Sequence, residues 1–286
     1  MKKRHNWGLP LLTALVTLGI WEGAVRLFDI SLYILPAPSD VLMAVIENFQ
    51  ELMYHASVTL SEALIGLGLS ALLAIILAIL MDLSRTFKRC IFPHLVVTQT
   101  VPVMVLGPLF AIWLGFGMAP KILMVIFMCF FPIAISFTEA LAQCDEEQIS
   151  LLKSFGASTV QIYRMVKIPS AASALFSGLQ VSATYCIGGA IVGEWLSAAA
   201  GLGYYMIRVK NGYMLDKVFA CVVVIIVLIK YDKIDDRARQ MCATDYAIAN
   251  ESKVELHEDG KYYAAPCWQA ACAPAALQEM KGRIAK

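Results

Sequence analysis

"SFGASTVQIYRMVKIPS", residues 154–170, is a polar segment set between long apolar runs. It carries Arg164 and Lys167, with Lys153 just ahead of it, a glycine near its start and a proline near its end. What surrounds it decides the fold class. The 286-residue chain is 59% hydrophobic and only 16% charged, against about 45–50% apolar and about 25% charged in a soluble domain. The excess falls in blocks: Gly8–Phe28, Ser57–Met81, Leu95–Phe116, Ile122–Leu141, Ala171–Trp195 and a shorter one, Val218–Ile229. Most approach the ~20 residues that cross a ~30 Å hydrocarbon layer as a helix. The expected fold is all-α: a polytopic helical membrane protein of about six transmembrane helices, with 154–170 in a loop between the fourth and fifth.

Charge placement orients it. Lys2, Lys3 and Arg4 precede the first run, Arg85, Lys88 and Arg89 follow the second, and Lys153, Arg164 and Lys167 follow the fourth. The stretch from Asp29 to Ala56 holds Asp29, Asp40, Glu47 and Glu51 and no Lys or Arg. The positive-inside rule then puts the N-terminus and the 82–94 and 142–170 loops in the cytoplasm. Arg208, Lys210 and Lys217 in the expected external 196–217 loop run against that scheme. The first run has no small-residue cleavage pattern, and Glu22 and Arg26, four apart, can pair on one helix face, so it reads as an uncleaved span.

The quoted segment reads as helix, turn, helix, stop. Ile149, Leu152 and Phe155 recur about once per turn. Gly156 suits the left-handed position that ends a helix, and Ser158 with Gln161 forms an S-x-x-Q capping box that starts another. Val160, Tyr163 and Val166 then make a short apolar stripe, and Pro169 breaks the helix and opens the fifth span. Two short helices at roughly a right angle, apolar on one face and basic on the other, suit docking into a groove on a soluble partner. The alternative is a helix lying on the inner membrane surface.

Elsewhere, "LPAPSDV" stops one helix, with Ser39 or Asp40 to cap the next, and residues 40–54 form an amphipathic interfacial helix. Pro93, Pro102 and Pro108 interrupt the third block; such breaks are kept for kinked packing or for lining a cavity. Gln99, Thr100 and Pro102 there, and Glu194 at the end of the fifth run, are candidates to line a pathway. Tyr204 and Tyr205 suit an interface loop. Cys129, Cys186 and Cys221 lie in apolar runs as packing residues, and Cys90 and Cys144 fall on the reducing side. Cys267 and Cys272, with His257 nearby, fall short of a full zinc ligand set.

The spacing Gly156-x9-Val166-x-Ile168-Pro169 resembles the cytoplasmic "EAA" loop in permease subunits of binding-protein-dependent ABC importers, with Ser150, Leu151 and Leu152 at the E-A-A positions. "LPAPSDV", "QTVPVMVLGPLFAIWLGFG", "FFPI" and "GAIVGEWLSAAAGLGYYM" are similar to the branch that imports sulfonates, nitrate, taurine and thiamine-related pyrimidines. The resemblance covers residues 8 to 229. It implies a bacterial inner-membrane protein with six spans and a cytoplasmic N-terminus. It also implies a second permease copy, cytoplasmic ATPase subunits that hold the ATP and Mg, and an external solute-binding protein. Phe155, Gly156, Ala157, Ser158, Gln161, Tyr163, Val166 and Pro169 then couple the chain to the ATPase. "GEWL…GLGYYMIRVKN" most resembles the subgroup for pyrimidine thiamine precursors or riboflavin; sulfonate, taurine or nitrate is the alternative.

No phosphate loop, G-x-S-x-G or H-E-x-x-H motif is present, so the chain is not expected to be an enzyme, to carry a cofactor or metal of its own, or to bind nucleic acid. A stand-alone channel or an intramembrane enzyme is the alternative of another class. The docking segment argues against the channel. The enzyme would need paired ionisable groups at membrane depth, and only Glu22, Arg26 and Glu194 come near it, all close to span ends. A secondary transporter would show repeats, which are not seen. Residues 1–230 read as the transmembrane domain and 231–286 as a polar tail of unknown role, with a hairpin around Asp259-Gly260.

Overall fold

The apolar runs become helices, and the one over Met118–Ala142 stays continuous even with Pro132 inside it. In the computed structural model, which describes residues 8–197 and 199–230 and two short strands, the elements in order are α1 (Gly8–Leu27), α2 (Pro38–Glu47), α3 (Phe49–Leu83), α4 (Arg85–Thr98), α5 (Val103–Leu114), α6 (Met118–Ala142), α7 (Glu146–Ser154), α8 (Thr159–Ile162), a π turn (Tyr163–Lys167), α9 (Ile168–Ser197), α10 (Leu202–Asn211) and α11 over 215–230. Strands β1 (Glu255–Leu256) and β2 (Tyr262–Tyr263) pair antiparallel, Glu255 opposite Tyr263 and Leu256 opposite Tyr262. That pairing brackets Asp259-Gly260, but the turn and the rest of 231–286 lie outside the described residues.

Among the described residues three helical runs are long and apolar enough to cross a membrane: Phe49–Leu83, Met118–Ala142 and Thr159–Leu196; α4 and α5 add a fourth if they form one broken span. The chain is therefore all-α and multi-pass. Exposed Leu64, Leu72, Ile76 and Leu80 along α3 are what a lipid- or protein-covered helix presents. The shortest apolar run is continued backward by Asp216 and Lys217, so α11 is about 24 Å long at ~1.5 Å per residue.

Several sequence expectations shift. The helix expected over 40–54 ends at Glu47, where the Asn48 side chain turns back to donate to the Ala44 carbonyl at 2.9 Å, and 49–54 belong to α3. Its start is two residues earlier than expected. Pro38 occupies the first helical position, where its missing N–H costs nothing. Asp40 caps from inside, its carboxylate accepting from the Ala37 N–H at 3.3 Å, while the Ser39 N–H donates to Glu22 at 3.1 Å. The expected Glu22–Arg26 pair is present at 3.1 Å, and Arg26 also reaches Asp40 at 3.2 Å.

The third block is not one helix. It breaks at 99–102, ahead of α5, while Pro93 and Pro108 lie inside α4 and α5. Arg85, Lys88 and Arg89, expected in a loop, open α4, whose N-terminus is capped by the Ser84 hydroxyl accepting from the Phe87 N–H at 3.3 Å. The 196–217 stretch is also not a loop: α10 fills its middle, and Tyr205 is fully buried rather than interfacial. Burial holds the Tyr205 phenol up to about 12. Arg208, one of the basic residues at odds with the topology, is paired with Glu51.

The helices form two compact units. The first contains residues up to Gly66, Val103–Val125 and Cys186–Tyr231, and its core gathers Leu52, Ala56, Leu202, Tyr205, Cys221 and Val224. The second contains Leu67–Pro102 and Ile126–Tyr185. Its core joins α3, α6 and α9 through Ala78, Phe137, Leu141 and Ala171, with Ala74, Ile133 and Ala134 beside them. In this unit Gly178 lets α9 approach α6 closely: a Cβ there would lie 3.0 Å from the Pro132 carbonyl oxygen. Small residues at contacts are how membrane helices gain packing where no hydrophobic drive separates helix from lipid.

Candidate functional site

The 145–170 segment is built by local turn chemistry. The Asp145 carboxylate caps α7, accepting from the Glu147 N–H at 2.9 Å. Glu146 and Glu147 sit in the first turn and Lys153 in the last, each complementing the helix dipole. Gly156 then takes φ +78°, the left-handed region that costs a β-carbon residue strain. The Gly156 N–H donates to the Lys153 carbonyl at 2.9 Å and the Ala157 N–H to the Leu152 carbonyl at 3.0 Å, the two bonds of a Schellman stop. Two residues on, the Ser158 N–H donates to Gln161 Oε1 at 2.7 Å and the Gln161 N–H to Ser158 Oγ at 3.4 Å, closing the expected capping box.

The stop expected at Pro169 does not occur. Pro169 is buried in the first turn of a helix that runs on to Ser197. Proline cannot donate to a carbonyl four residues back and its ring crowds that carbonyl. The π turn over Tyr163–Lys167 widens the helix immediately before it, with the Ile168 N–H donating to the Tyr163 carbonyl five residues back. The segment therefore feeds directly into α9, within the Thr159–Leu196 run that is long and apolar enough to cross a membrane.

Exposure along the segment is uneven. Phe155 is 50% exposed and Val160 75%, with Leu151 at 52%; Gly156, Ser158 and Gln161 are exposed as well. Ala157, Tyr163 and Val166 are half-buried, so the stripe Val160–Tyr163–Val166 is free only at Val160. The Tyr163 phenol donates to Asp82, near the end of α3, and the Lys167 ammonium reaches the same carboxylate. Burial pushes the Cys144 thiol, in the link before α7, above its ordinary range.

The pathway candidates separate by exposure. Gln99, Thr100 and Pro102 lie in the break between α4 and α5 and are exposed. Glu194 is 1% exposed, within the first unit. Its carboxylate accepts from the Thr59 hydroxyl at 2.7 Å and from the Gly203 N–H at 2.6 Å. Thr59 Oγ in turn accepts from the Leu202 N–H at 2.8 Å, and His55 Nδ1 from the Gly201 N–H at 3.0 Å. Three side chains from α3 and α9 thus satisfy the N–H groups that open α10. Gly201 holds φ +118°, and a Cβ on it would overlap the Glu194 carboxylate. Beside Glu194, a cleft of about 640 Å³ is lined by Phe116, Lys121, Trp195, Tyr204 and Ile207, among others.

Glu62, His55, Thr59 and Asp82 were missed by sequence reasoning. Glu62 lies inside the second apolar run and forms a buried ion pair with Lys121, a charged pair that the apolar composition hid. A lone carboxylate in an apolar run was the available signal.

Similarity to known proteins decides the family. The description "Binding-protein-dependent transport system inner membrane component" matches residues 70–230. The chain belongs to that family. This permease is 34% identical to "Probable ABC transporter permease protein" of Haemophilus influenzae over 76% of its own length and 89% of the relative's. It is 32% identical to the "Formylaminopyrimidine transport permease protein ThiX" of Halalkalibacterium halodurans, over 80% and 91%. The inward-facing MetNI methionine ABC transporter shares its fold, at TM-score 0.56 and 16% identity, over 68% of this chain and 95% of that one. The permease is a multi-pass inner-membrane component of an ABC import system that works with an ATPase and a binding protein.

Proposed function

We propose that this permease carries a small heteroaromatic solute of the formylaminopyrimidine class. It would receive the solute from an external binding protein and move it across the membrane as a homodimer of six-span subunits, N-termini in the cytoplasm. Support for the solute class comes from the similarity to the Halalkalibacterium halodurans permease over 80% of this chain. The six spans are α1, α3, the broken pair α4–α5, α6, the run from α8 through α9, and α11. Residues 1–230 form the transport domain and 231–286 an appendage with no part in transport.

The observation that carries the coupling reading is the Schellman stop at Gly156 followed within two residues by the Ser158–Gln161 box. It fixes a sharp turn that presents Phe155 and Val160 while leading, without a break, into a membrane-spanning helix. Phe155, Gly156, Ala157, Ser158 and Gln161 form the surface offered to the ATPase; Tyr163, Val166 and Pro169 join that surface to the span. Gln99, Thr100, Pro102 and Glu194 stand as the pathway candidates. Reconstitution of the permease with its ATPase and binding protein tests this reading. ATP-dependent uptake of labelled formylaminopyrimidine, competed by unlabelled compound and not by taurine, is the expected result. Uptake of taurine instead would contradict the solute class, and uptake without the ATPase subunit would contradict the importer assignment.

A further inference from the structure

Asp82 is an expensive residue where it stands. It lies in the last turn of α3, a 35-residue apolar helix, with its side chain 9% exposed. A carboxylate at a helix C-terminus faces the negative end of the macrodipole, and burial adds a desolvation cost. Both of the partners that offset these costs come from one short piece of chain. The Tyr163 hydroxyl and the Lys167 ammonium donate to the same oxygen, Asp82 Oδ2. Lys167 also stands 5.2 Å from the centre of the Tyr163 ring, so the three groups form a single clasp. Tyr163 and Lys167 are the first and last residues of the π turn, the widened stretch between the capping box and Pro169. The clasp therefore grips the segment just where it becomes the spanning helix. The nearby apolar packing of Ala78, Leu141 and Ala171 is non-directional; the clasp is directional and charged.

Building on the coupling role proposed for the segment, we infer that Asp82 is a positioning residue: it is the joint through which displacement of the 146–167 segment is passed to α3. Packing alone would let α3 slip against the turn; a carboxylate held by two donors makes the two move together.

The full importer, permease with its ATPase subunits, tests this. A nitroxide is placed at Leu72→Cys, an exposed position about 15 Å along α3 from Asp82 at ~1.5 Å per residue. Its mobility and its accessibility to oxygen are read without nucleotide and after trapping with ATP and vanadate. In the unaltered clasp the label responds to trapping. Asp82→Asn, nearly isosteric, is expected to cut that response at least about fivefold, the lower end of coupling between sites, while vanadate still traps nucleotide and the ATPase subunits stay bound. Asp82→Glu, which keeps the charge, is expected to restore it. A full response with Asp82→Asn, or no response with the clasp intact, would overturn the inference, as would loss of the ATPase subunits from the Asn variant, since that is a docking defect. Gly156→Val run in parallel separates the two readings. If it leaves the response whole, the coupling role of the segment fails; if it abolishes the response and Asp82→Asn does not, only the joint fails.

Discussion

The Thr59 hydroxyl donates to the Glu194 carboxylate at 2.7 Å and accepts from the Leu202 N–H at 2.8 Å, linking α3, α9 and the start of α10 through one oxygen. Residues 135 positions apart thereby cap a helix that has no local cap of its own. Thr59→Val keeps the shape and removes both bonds. An unpaired buried donor costs about 1–3 kcal/mol, so Thr59→Val and Glu194→Leu should each destabilise the detergent-purified permease by that order. The pair together should cost less than the sum, because both single changes remove the same Thr59–Glu194 hydrogen bond. Thermal unfolding followed by circular dichroism, with proteolysis near 198–202 as a local probe, measures this.

Gly156→Val should separate transport from assembly. Left-handed backbone costs a β-carbon residue about 1–2 kcal/mol, more for a branched one, and the Schellman bonds would be lost. Membrane insertion should be unchanged, since the spans are untouched, whereas uptake and the stimulation of ATP hydrolysis should fall together. Immunoblots of membranes alongside uptake assays separate the two effects.

Thiol labelling should distinguish Cys90 from Cys144. Cys90 is exposed on α4, whereas Cys144 is buried and its Sγ faces the carbonyl oxygens of Ala140 and Lys167 at 3.5 and 3.8 Å. Thiolate is the reacting form, and the raised thiol of Cys144 holds less of it at neutral pH. In inside-out vesicles at pH 7 an impermeant maleimide should modify Cys90 quickly and Cys144 slowly. Raising the pH should speed Cys144 as its thiolate fraction grows. Rapid labelling of Cys90 from the outside of intact cells would reverse the proposed orientation.

Deletion of residues 234–286 should leave uptake and assembly largely intact. Normal membrane levels with lost uptake would give the tail a role in transport.

How far the sequence was legible follows the range of each interaction. The turn at Gly156 and the Ser158–Gln161 box were readable because their bonds join residues three to five apart. The apolar runs announced α3, α6 and α9 for the same reason: period and length are local. What escaped was set across the fold. Glu62 meets Lys121 at a separation of 59 residues, Tyr163 meets Asp82 at 81, and Thr59 meets Glu194 at 135. No periodicity encodes such pairs. Proline misled in both directions. Of the three in the third block only Pro102 lies at the break, and Pro169 is absorbed into a continuous helix by the π turn immediately before it.

The proposed seating of the exposed 146–167 turn on the ATPase is open to a direct test. Val160, 75% exposed and without a role in the clasp, is the place to test it. Val160→Cys in a cysteine-free permease, co-expressed with an ATPase subunit carrying single cysteines along its membrane-facing surface, is treated with a short bifunctional maleimide. A permease–ATPase adduct is expected at one or a few neighbouring positions, its yield changing when ATP and vanadate are added. Absence of any adduct, with Val160→Cys instead reactive toward a lipid-dissolved maleimide, would show that the segment lies on the membrane surface and does not seat on the ATPase.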